Sequence, residues 1–84
     1  MIQENIKQIE YYSTPDLSLT TALSLWFPIC EINRDNPHKV TFQFKKTNKL
    51  GKTIELFWQG KLMVDPQKYF LQLKSIKSRI YSER

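Results

Sequence analysis

Residues 61–84 carry the strongest secondary-structure signal in the chain, an amphipathic helix with a defined start. Asp65 can accept hydrogen bonds from the free N–H groups of a first helical turn, and Pro66 needs no N–H at the first helical position. Beyond this start, apolar residues recur every three or four positions, which places them on one side of a helix. They are Tyr69, Phe70, Leu73, Ile76 and Ile80. The segment therefore predicts a helix that packs one side against a core.

One edge of this predicted helix places lysines beside aromatic rings, at Phe70, Lys74, Lys77 and Tyr81. This pairing suits nucleic acid, because ammonium groups bind phosphate and rings stack on bases. A structural alternative fits as well, since lysine stems often cover the border of an apolar face while their ammonium groups stay in water.

The length of the chain predicts one domain of limited stability. A chain of 84 residues buries only about 60 % of its unfolded surface, so association as a homodimer would stabilise it. A hydrophobic content of 40 % and an aromatic content of 13 % suffice for a core. We expect a single domain over residues 9–84, preceded by a tail or frayed turn at residues 1–8.

Composition argues against several classes of protein. No apolar run approaches the length of a membrane span, and the N-terminal residues lack the basic start and apolar block of a signal peptide. A lone cysteine can form no intrachain disulfide, and a thiolate zinc site needs more ligands. We therefore expect a cytoplasmic protein in which Cys30 is a buried small apolar residue.

Charge is unevenly distributed along the sequence. Residues 1–38 hold two basic residues against five acidic ones, a net charge of −3, whereas residues 39–84 hold eleven against three, a net charge of +8. A concentrated positive charge suits an acidic polymer such as DNA or RNA, although a basic surface also serves solubility.

The first third of the chain predicts a strand followed by a helix. Residues 9–12 are rich in strand formers. Ser13 with Asp16 resembles a capping box, and Thr14 as the cap with Pro15 first in the helix is an equally good register. We expect this helix to reach about Trp26, with Leu19, Ala22, Leu23 and Trp26 on one side and Leu17 and Leu25 flanking them.

The middle of the chain predicts a hairpin and a second helix. Residues 29–33 and 39–46 have strand character and flank a turn at residues 34–38. In the second strand Val40, Phe42 and Phe44 should face the core, because side chains alternate between the two faces. The following helix can be capped by Thr47 or Asn48 and stopped by Gly60 in a left-handed conformation.

These elements predict an α+β domain of two layers, with a small antiparallel or mixed sheet packed on helices. Two arrangements remain open. If residues 62–64 add a fourth strand, the order becomes β-α-β-β-α-β-α, which is ferredoxin-like. If they form a loop, three strands pack on three helices.

The sequence indicates no catalytic site. His38, the single histidine, falls in the predicted turn beside Pro37, and no nucleophile can be paired with a base. The acidic residues show no metal-like cluster, and two glycines cannot build a phosphate-cradling loop. We expect a non-enzyme without metal or cofactor.

The lysines support a nucleic-acid-binding hypothesis that acts through phosphate contacts. The candidate residues are Lys39, Lys45, Lys46, Lys49, Lys52, Lys74, Lys77 and Arg79. Tyr11 or Tyr12 could add a stacking ring on the same sheet face, and the start of a helix also favours phosphate. The structural alternative is a lysine-rich sheet edge that discourages aggregation.

Aromatic content supports a second hypothesis, a non-enzymatic protein-interaction or homo-oligomerisation module, for which the family resemblance described below implies a role in modulating a host protein. Two tryptophans and nine other aromatic residues exceed what so small a core can hide. An exposed patch that contains Phe57, Trp58, Tyr69 or Tyr81 would favour this interpretation.

Three segments together resemble a small domain family of unknown function found in bacterial and phage genomes. They are residues 12–17 (YSTPDL), residues 36–44 (NPHKVTFQF) and residues 60–81 with its VDPQKYF motif. The resemblance covers about residues 10–82 and rests on capping, turn and core positions, so it implies a fold and assigns no catalytic residue. It also implies a phage or mobile-element setting, in which small proteins often bind nucleic acid or a host protein.

Overall fold

The computed structural model describes residues 8–36 and 38–82, with side chains as far as Tyr81. Across this described part of the chain it contains three strands and three helices. The elements are β1 (Tyr11–Thr14), α1 (Leu17–Leu23), β2 (Glu31–Asn36), β3 (Lys39–Lys45), α2 (Asn48–Trp58) and α3 (Pro66–Ser82). Residues 1–7 of the predicted tail lie outside the described residues, and so does Pro37 of the predicted turn.

The sheet places β3 between β1 and β2, and both pairings are antiparallel. Tyr12 lies opposite Phe44 and Ile32 lies opposite Phe42, so these four side chains share one face. Residues 62–64 form no strand. Of the two predicted arrangements, the structure has three strands on three helices, and the ferredoxin-like alternative is not formed.

The core lies between one face of the sheet and the helices. Phe42 and Phe44 are fully buried, as the alternation in β3 predicts, and Val40 packs against the same cluster. Among the described residues, helices contribute the other fully buried apolar side chains, which are Leu19, Ala22, Leu23, Leu50 and Ile76. The predicted two-layer α+β class is therefore confirmed.

The start of α1 differs from both predicted registers. The cap is Asp16, whose Oδ1 accepts a hydrogen bond from the Leu19 N–H at 3.0 Å. Thr14 instead ends β1, and its Oγ1 accepts from the Asp16 N–H at 3.1 Å. Asp16 is the cap because β1 ends at Thr14, two residues beyond its predicted end at Tyr12. Residues 13 and 14 are therefore extended and cannot begin the helix.

The end of α1 also differs from the prediction. The helix stops at Leu23, and residues 24–26 form a tighter turn in which the Trp26 N–H donates to the Leu23 carbonyl at 3.0 Å. Trp26 is consequently 54 % exposed and does not join the buried side of α1, which corrects its predicted place.

The second helix has the predicted boundaries. Thr47 is its cap, since its Oγ1 accepts from the Leu50 N–H at 3.1 Å. At the other end Gly60 has a φ of 74°, and its N–H donates to the Phe57 carbonyl while the Lys61 N–H donates to Leu56. This pair of bonds is a Schellman motif, which satisfies two of the free carbonyls of the last turn.

The third helix also begins where predicted. Asp65 Oδ1 accepts from the N–H groups of Gln67 at 2.8 Å and Lys68 at 3.1 Å. Pro66 is the first helical residue.

The strand before the hairpin is displaced along the chain relative to its prediction. β2 spans Glu31–Asn36 instead of residues 29–33, because its register follows the pairing of Ile32 with Phe42 and of Asn36 with Lys39. Ile29 packs against the core from outside the strand. Cys30 is exposed, which corrects its predicted burial.

Candidate nucleic-acid interface

Four of the predicted lysines are close in sequence where β3 leads into α2, and we call them the basic junction: Lys45, Lys46, Lys49 and Lys52. Lys45 alternates with the buried Phe44 and therefore lies on the sheet face turned away from the helices, whereas Lys49 and Lys52 lie on α2. All four side chains are exposed. Burial of Leu50 fixes the rotation of α2 about its axis. Lys49 and Lys52 are three residues apart and are therefore neighbours on the outer side of the helix. The start of α2 adds the positive end of a helix dipole to this charge.

Lys46 is the member of the basic junction that is tied to an acidic residue. Its Nζ lies 3.6 Å from Glu10 Oε1, and its N–H donates to the Glu10 carbonyl at 2.8 Å. Both side chains are more than half exposed, so the ion pair adds little stability. A hollow beside this ion pair is lined by two lysines, Lys46 and Lys52, and by two acidic residues, Glu10 and Glu55. That hollow has mixed charge.

A second concavity, which we call the Trp26 groove, borders Lys49 and Lys52 of the basic junction. It has a volume of about 500 Å³ and its described lining consists of Trp26, Phe27, Lys49, Lys52, Thr53 and Leu62. The turn after α1 supplies the rings, α2 supplies the lysines and Thr53, and the loop after Gly60 supplies Leu62. No carboxylate belongs to this described lining.

The structure separates Lys39 from the basic junction. Lys39 begins β3 and Lys45 ends it, so about 20 Å of extended strand lies between them. Lys39 instead borders a hollow near the end of α3, together with His38, Ile80 and Tyr81.

The predicted residues of α3 form a third group. Lys74 places its Nζ 5.3 Å from the centre of the Phe70 ring, a cation–π contact within the helix. Lys77 and Arg79 are exposed. This helix packs against α1 on the helical layer, where Gln72 Nε2 donates to Ser24 Oγ at 3.0 Å. Of the eight predicted residues, four belong to the basic junction, where Lys49 and Lys52 share one helix and Lys45 lies on the open sheet face, and the other four lie elsewhere.

The two candidate tyrosines lie on opposite faces of β1. Tyr11 is paired with Lys45 and is half exposed on the face turned away from the helices. Tyr12 is paired with Phe44 and packs on the core. Only Tyr11 can therefore act as a stacking ring. The same sheet face carries Glu31 opposite Gln43, so its charge is mixed.

Shifted pKa values occur at the start of α1, outside the basic junction. Hydrogen bonds from the Leu19 N–H and the Ser18 hydroxyl lower the pKa of Asp16. Burial, with a smaller effect of the Asp16 charge, raises the pKa of Tyr69, whose hydroxyl donates to the Ser18 carbonyl at 3.2 Å. The hydrogen bonds at Asp16 and the burial of Tyr69 account for these shifts in pKa, and we assign neither group a chemical role.

In residues 8–36 and 38–82, no group of three or more His, Cys, Asp or Glu side chains could hold a metal ion. None of the helices in that part is both long enough and apolar enough to cross a membrane.

Trp26, like Cys30, was misplaced by sequence reasoning. The apolar spacing continues through Leu23 to Trp26, so periodicity assigns the ring to the core. Ser24 marks the actual end, since its hydroxyl donates to the Thr21 carbonyl at 2.8 Å. Pro28 then prevents the backbone from returning to a helix.

Comparison with known proteins places the chain in a family without a described activity. No curated protein and no solved structure matches it. A sequence model of one family, described as a domain of unknown function (DUF5659), matches residues 9–82. The match covers nearly the whole chain, and the protein therefore belongs to the DUF5659 family.

Proposed function

We propose that this domain binds nucleic acid through phosphate contacts made by the basic junction. The observation that carries the proposal is the run of exposed lysines where β3 leads into α2, namely Lys45, Lys46, Lys49 and Lys52. Exposed ammonium groups can contact phosphates, and the helix dipole adds to their attraction. The proposal involves no catalytic step, metal or cofactor.

The setting that accompanies the proposal is the bacterial cytoplasm, for a protein encoded by a phage or mobile element. It rests on the resemblance to small proteins of such genomes. Neither DNA nor RNA is preferred by phosphate contacts alone, since both present the same charged backbone.

Salt dependence tests the proposal directly. Four phosphate contacts to a single strand should give a slope of about −3 in a plot of log affinity against log salt concentration. Between 50 and 200 mM salt the affinity should fall by about 60-fold. Affinity that is insensitive to salt, or the absence of binding at 50 mM, would contradict the proposal.

Charge reversal tests the location. The double variant Lys49→Glu, Lys52→Glu should weaken binding strongly and reduce the salt slope. A matched control is Lys61→Glu, Lys68→Glu, which changes the net charge equally at two exposed lysines outside the basic junction. Equal losses in both variants would show that net charge, rather than this surface, governs binding. A third variant, Lys74→Glu with Lys77→Glu, measures whether α3 contributes.

Exposed apolar residues of α3 favour a second candidate function, association with a protein partner or a second copy of the domain. Phe70 is 58 % exposed and Leu71 is 63 % exposed, and Met63 in the preceding loop is still more exposed. Tyr81, farther along α3, is also exposed. Apolar side chains grouped on one helix are typical of interaction surfaces.

Light scattering tests the second candidate in its homo-oligomeric form. A dimer that Leu71→Lys converts to a monomer, while Lys49→Glu leaves it intact, would support association through α3. A monomer at every concentration would leave only a different protein as the partner.

A further inference from the structure

We propose that the Trp26 groove holds one unpaired base of a single-stranded nucleic acid, with the base stacked on the Trp26 indole and the adjoining phosphates on Lys49 and Lys52. This inference rests on the proposed function and specifies the ligand of the same surface. It adds a recognition element that phosphate contacts alone do not supply.

The position of the Trp26 ring is the first support. Its backbone N–H and that of Phe27 both donate to the Leu23 carbonyl, at 3.0 and 2.8 Å. Leu23 is fully buried and Phe27 packs on the core, so the turn that presents the indole is anchored. An exposed ring on an anchored turn loses little freedom when a ligand stacks on it.

The shape and composition of the groove are the second support. A volume of about 500 Å³ lies in the range of small-ligand sites, which bury a flat apolar group and orient it with few polar ones. Phe27 and Leu62 are half buried and form apolar walls. The hydroxyl of Thr53 is committed, since it donates to the Lys49 carbonyl at 2.8 Å. The groove therefore offers its occupant rings and ammonium groups.

Charge complementarity identifies the occupant as acidic. Lys49 and Lys52 are neighbours on α2 and border the groove, whose described lining contains no carboxylate. The carboxylate of Glu55 lies on the other hollow, with Glu10. A ligand that is flat, apolar in its ring and negatively charged in its connecting groups satisfies both parts of the lining, and a nucleotide unit has these properties.

The accessibility of base faces decides between single strand and duplex. In a duplex the faces of the bases are covered by their stacked neighbours, so a ring inside a concavity cannot reach them. Unpaired bases can turn out and stack on an aromatic side chain. The structure thus assigns the groove to single-stranded DNA or RNA.

Tryptophan fluorescence provides the experiment, because Trp26 and Trp58 are the two tryptophans of the chain. In the Trp58→Phe variant only Trp26 emits, and in the Trp26→Phe variant only Trp58 emits. Each is titrated with oligothymidylate of about 12 nucleotides, a duplex of equal length, polyphosphate and polyglutamate. Circular dichroism of both variants checks that they are folded.

We expect oligothymidylate to quench Trp26, and to leave the emission of Trp58 unchanged. Polyphosphate, which has charge without bases, and the duplex should not quench Trp26. The variant Trp26→Leu should bind oligothymidylate about 5- to 150-fold more weakly, whereas Trp26→Phe retains a ring and should lose less.

The outcomes separate the two proposals. Binding that is strong and sensitive to salt, without quenching of Trp26, would overturn the stacking inference and leave the proposed function intact. Equal quenching by polyglutamate would overturn it in favour of an acidic peptide. Quenching of Trp58 instead would overturn the assignment to this groove, and the absence of any binding would overturn both proposals.

Discussion

The two glycines at the start and end of α2 should respond oppositely to the same substitution. Gly60 has a φ of 74°, and a Cβ placed there would meet no atom within 4 Å. The substitution Gly60→Ala should therefore cost only the strain of an alanine in the left-handed conformation. We expect the free energy of unfolding to fall by about 1–2 kcal/mol. Gly51 lies inside the helix, and a Cβ there also finds open space. Gly51→Ala should stabilise the domain by about 1 kcal/mol, since alanine restricts the unfolded chain and glycine does not.

Thermal unfolding monitored by circular dichroism measures both effects. For a domain of this size, 1 kcal/mol corresponds to a change in Tm of about 4–8 °C. Gly51→Ala should raise the Tm by that amount, and Gly60→Ala should lower it at least as much. The two positions share no contact, so the free-energy changes should add, and the double variant should unfold slightly below the parent or close to it.

Two results would refute this reasoning. A Gly60→Ala variant as stable as the parent would mean that α2 does not end in a Schellman motif in solution. A destabilised Gly51→Ala variant would mean that this surface of α2 is covered. The two variants also differ in their expected effect on the Trp26 groove. Only Gly60→Ala should disturb the turn that places Leu62 in the lining of that groove.

Three further predictions concern the remaining elements. Ile76 is fully buried, so truncating its side chain leaves a cavity. In urea unfolding, Ile76→Ala should lower the free energy of unfolding by about 2–5 kcal/mol and Ile76→Val by about 0.5–1.5 kcal/mol. Equal stability of the two variants would contradict the core position of Ile76. Because its folded-state pKa is lowered, Asp16 contributes stability that is present above its unfolded value and is lost as pH falls through the folded value. Asp16→Asn should therefore reduce the fall in unfolding free energy on acidification, and an unchanged pH profile would contradict this. The Arg34 guanidinium donates hydrogen bonds to the backbone carbonyls of Ile80 at 2.8 Å and Arg79 at 3.0 Å. Arg34→Met removes these bonds and should speed amide hydrogen exchange in the last turn of α3. Exchange in the first turn of α3 should stay unchanged.

Features of the fold that depend on neighbouring residues were predicted well. Asp65 with Pro66 starts α3, and Gly60 ends α2, because the hydrogen bonds concerned lie within a few residues. The alternation of β3 is equally local, since each side chain takes the face opposite to its neighbour. These signals carried the α+β class and the burial of Phe42 and Phe44.

Features that depend on distant partners were predicted less well. The bounds of β1 are set by the pairing of Tyr11 with Lys45 and of Thr14 with Phe42, and nothing in residues 9–12 contains that register. The cap of α1 then moves from residues 13 and 14 to Asp16 as a consequence. The α1 boundary likewise depends on a competition between an apolar spacing and local hydrogen bonds, which periodicity alone does not weigh.

The sequence has an acidic first half and a basic second half, but the sheet mixes strands from both halves. Strand order places β3, from the basic half, between β1 and β2, from the acidic half. Glu10 meets Lys46, and Glu31 lies opposite Gln43, so the sheet surface becomes mixed. The basic junction persists because residues 45–52 are continuous in sequence and need no tertiary contact to be neighbours. Lys39 and the α3 residues could have joined them only through tertiary packing, which instead places Lys39 at the opposite end of β3 and sets α3 against α1. A patch of charge that is local in sequence is therefore the more reliable starting point in a search for a binding site.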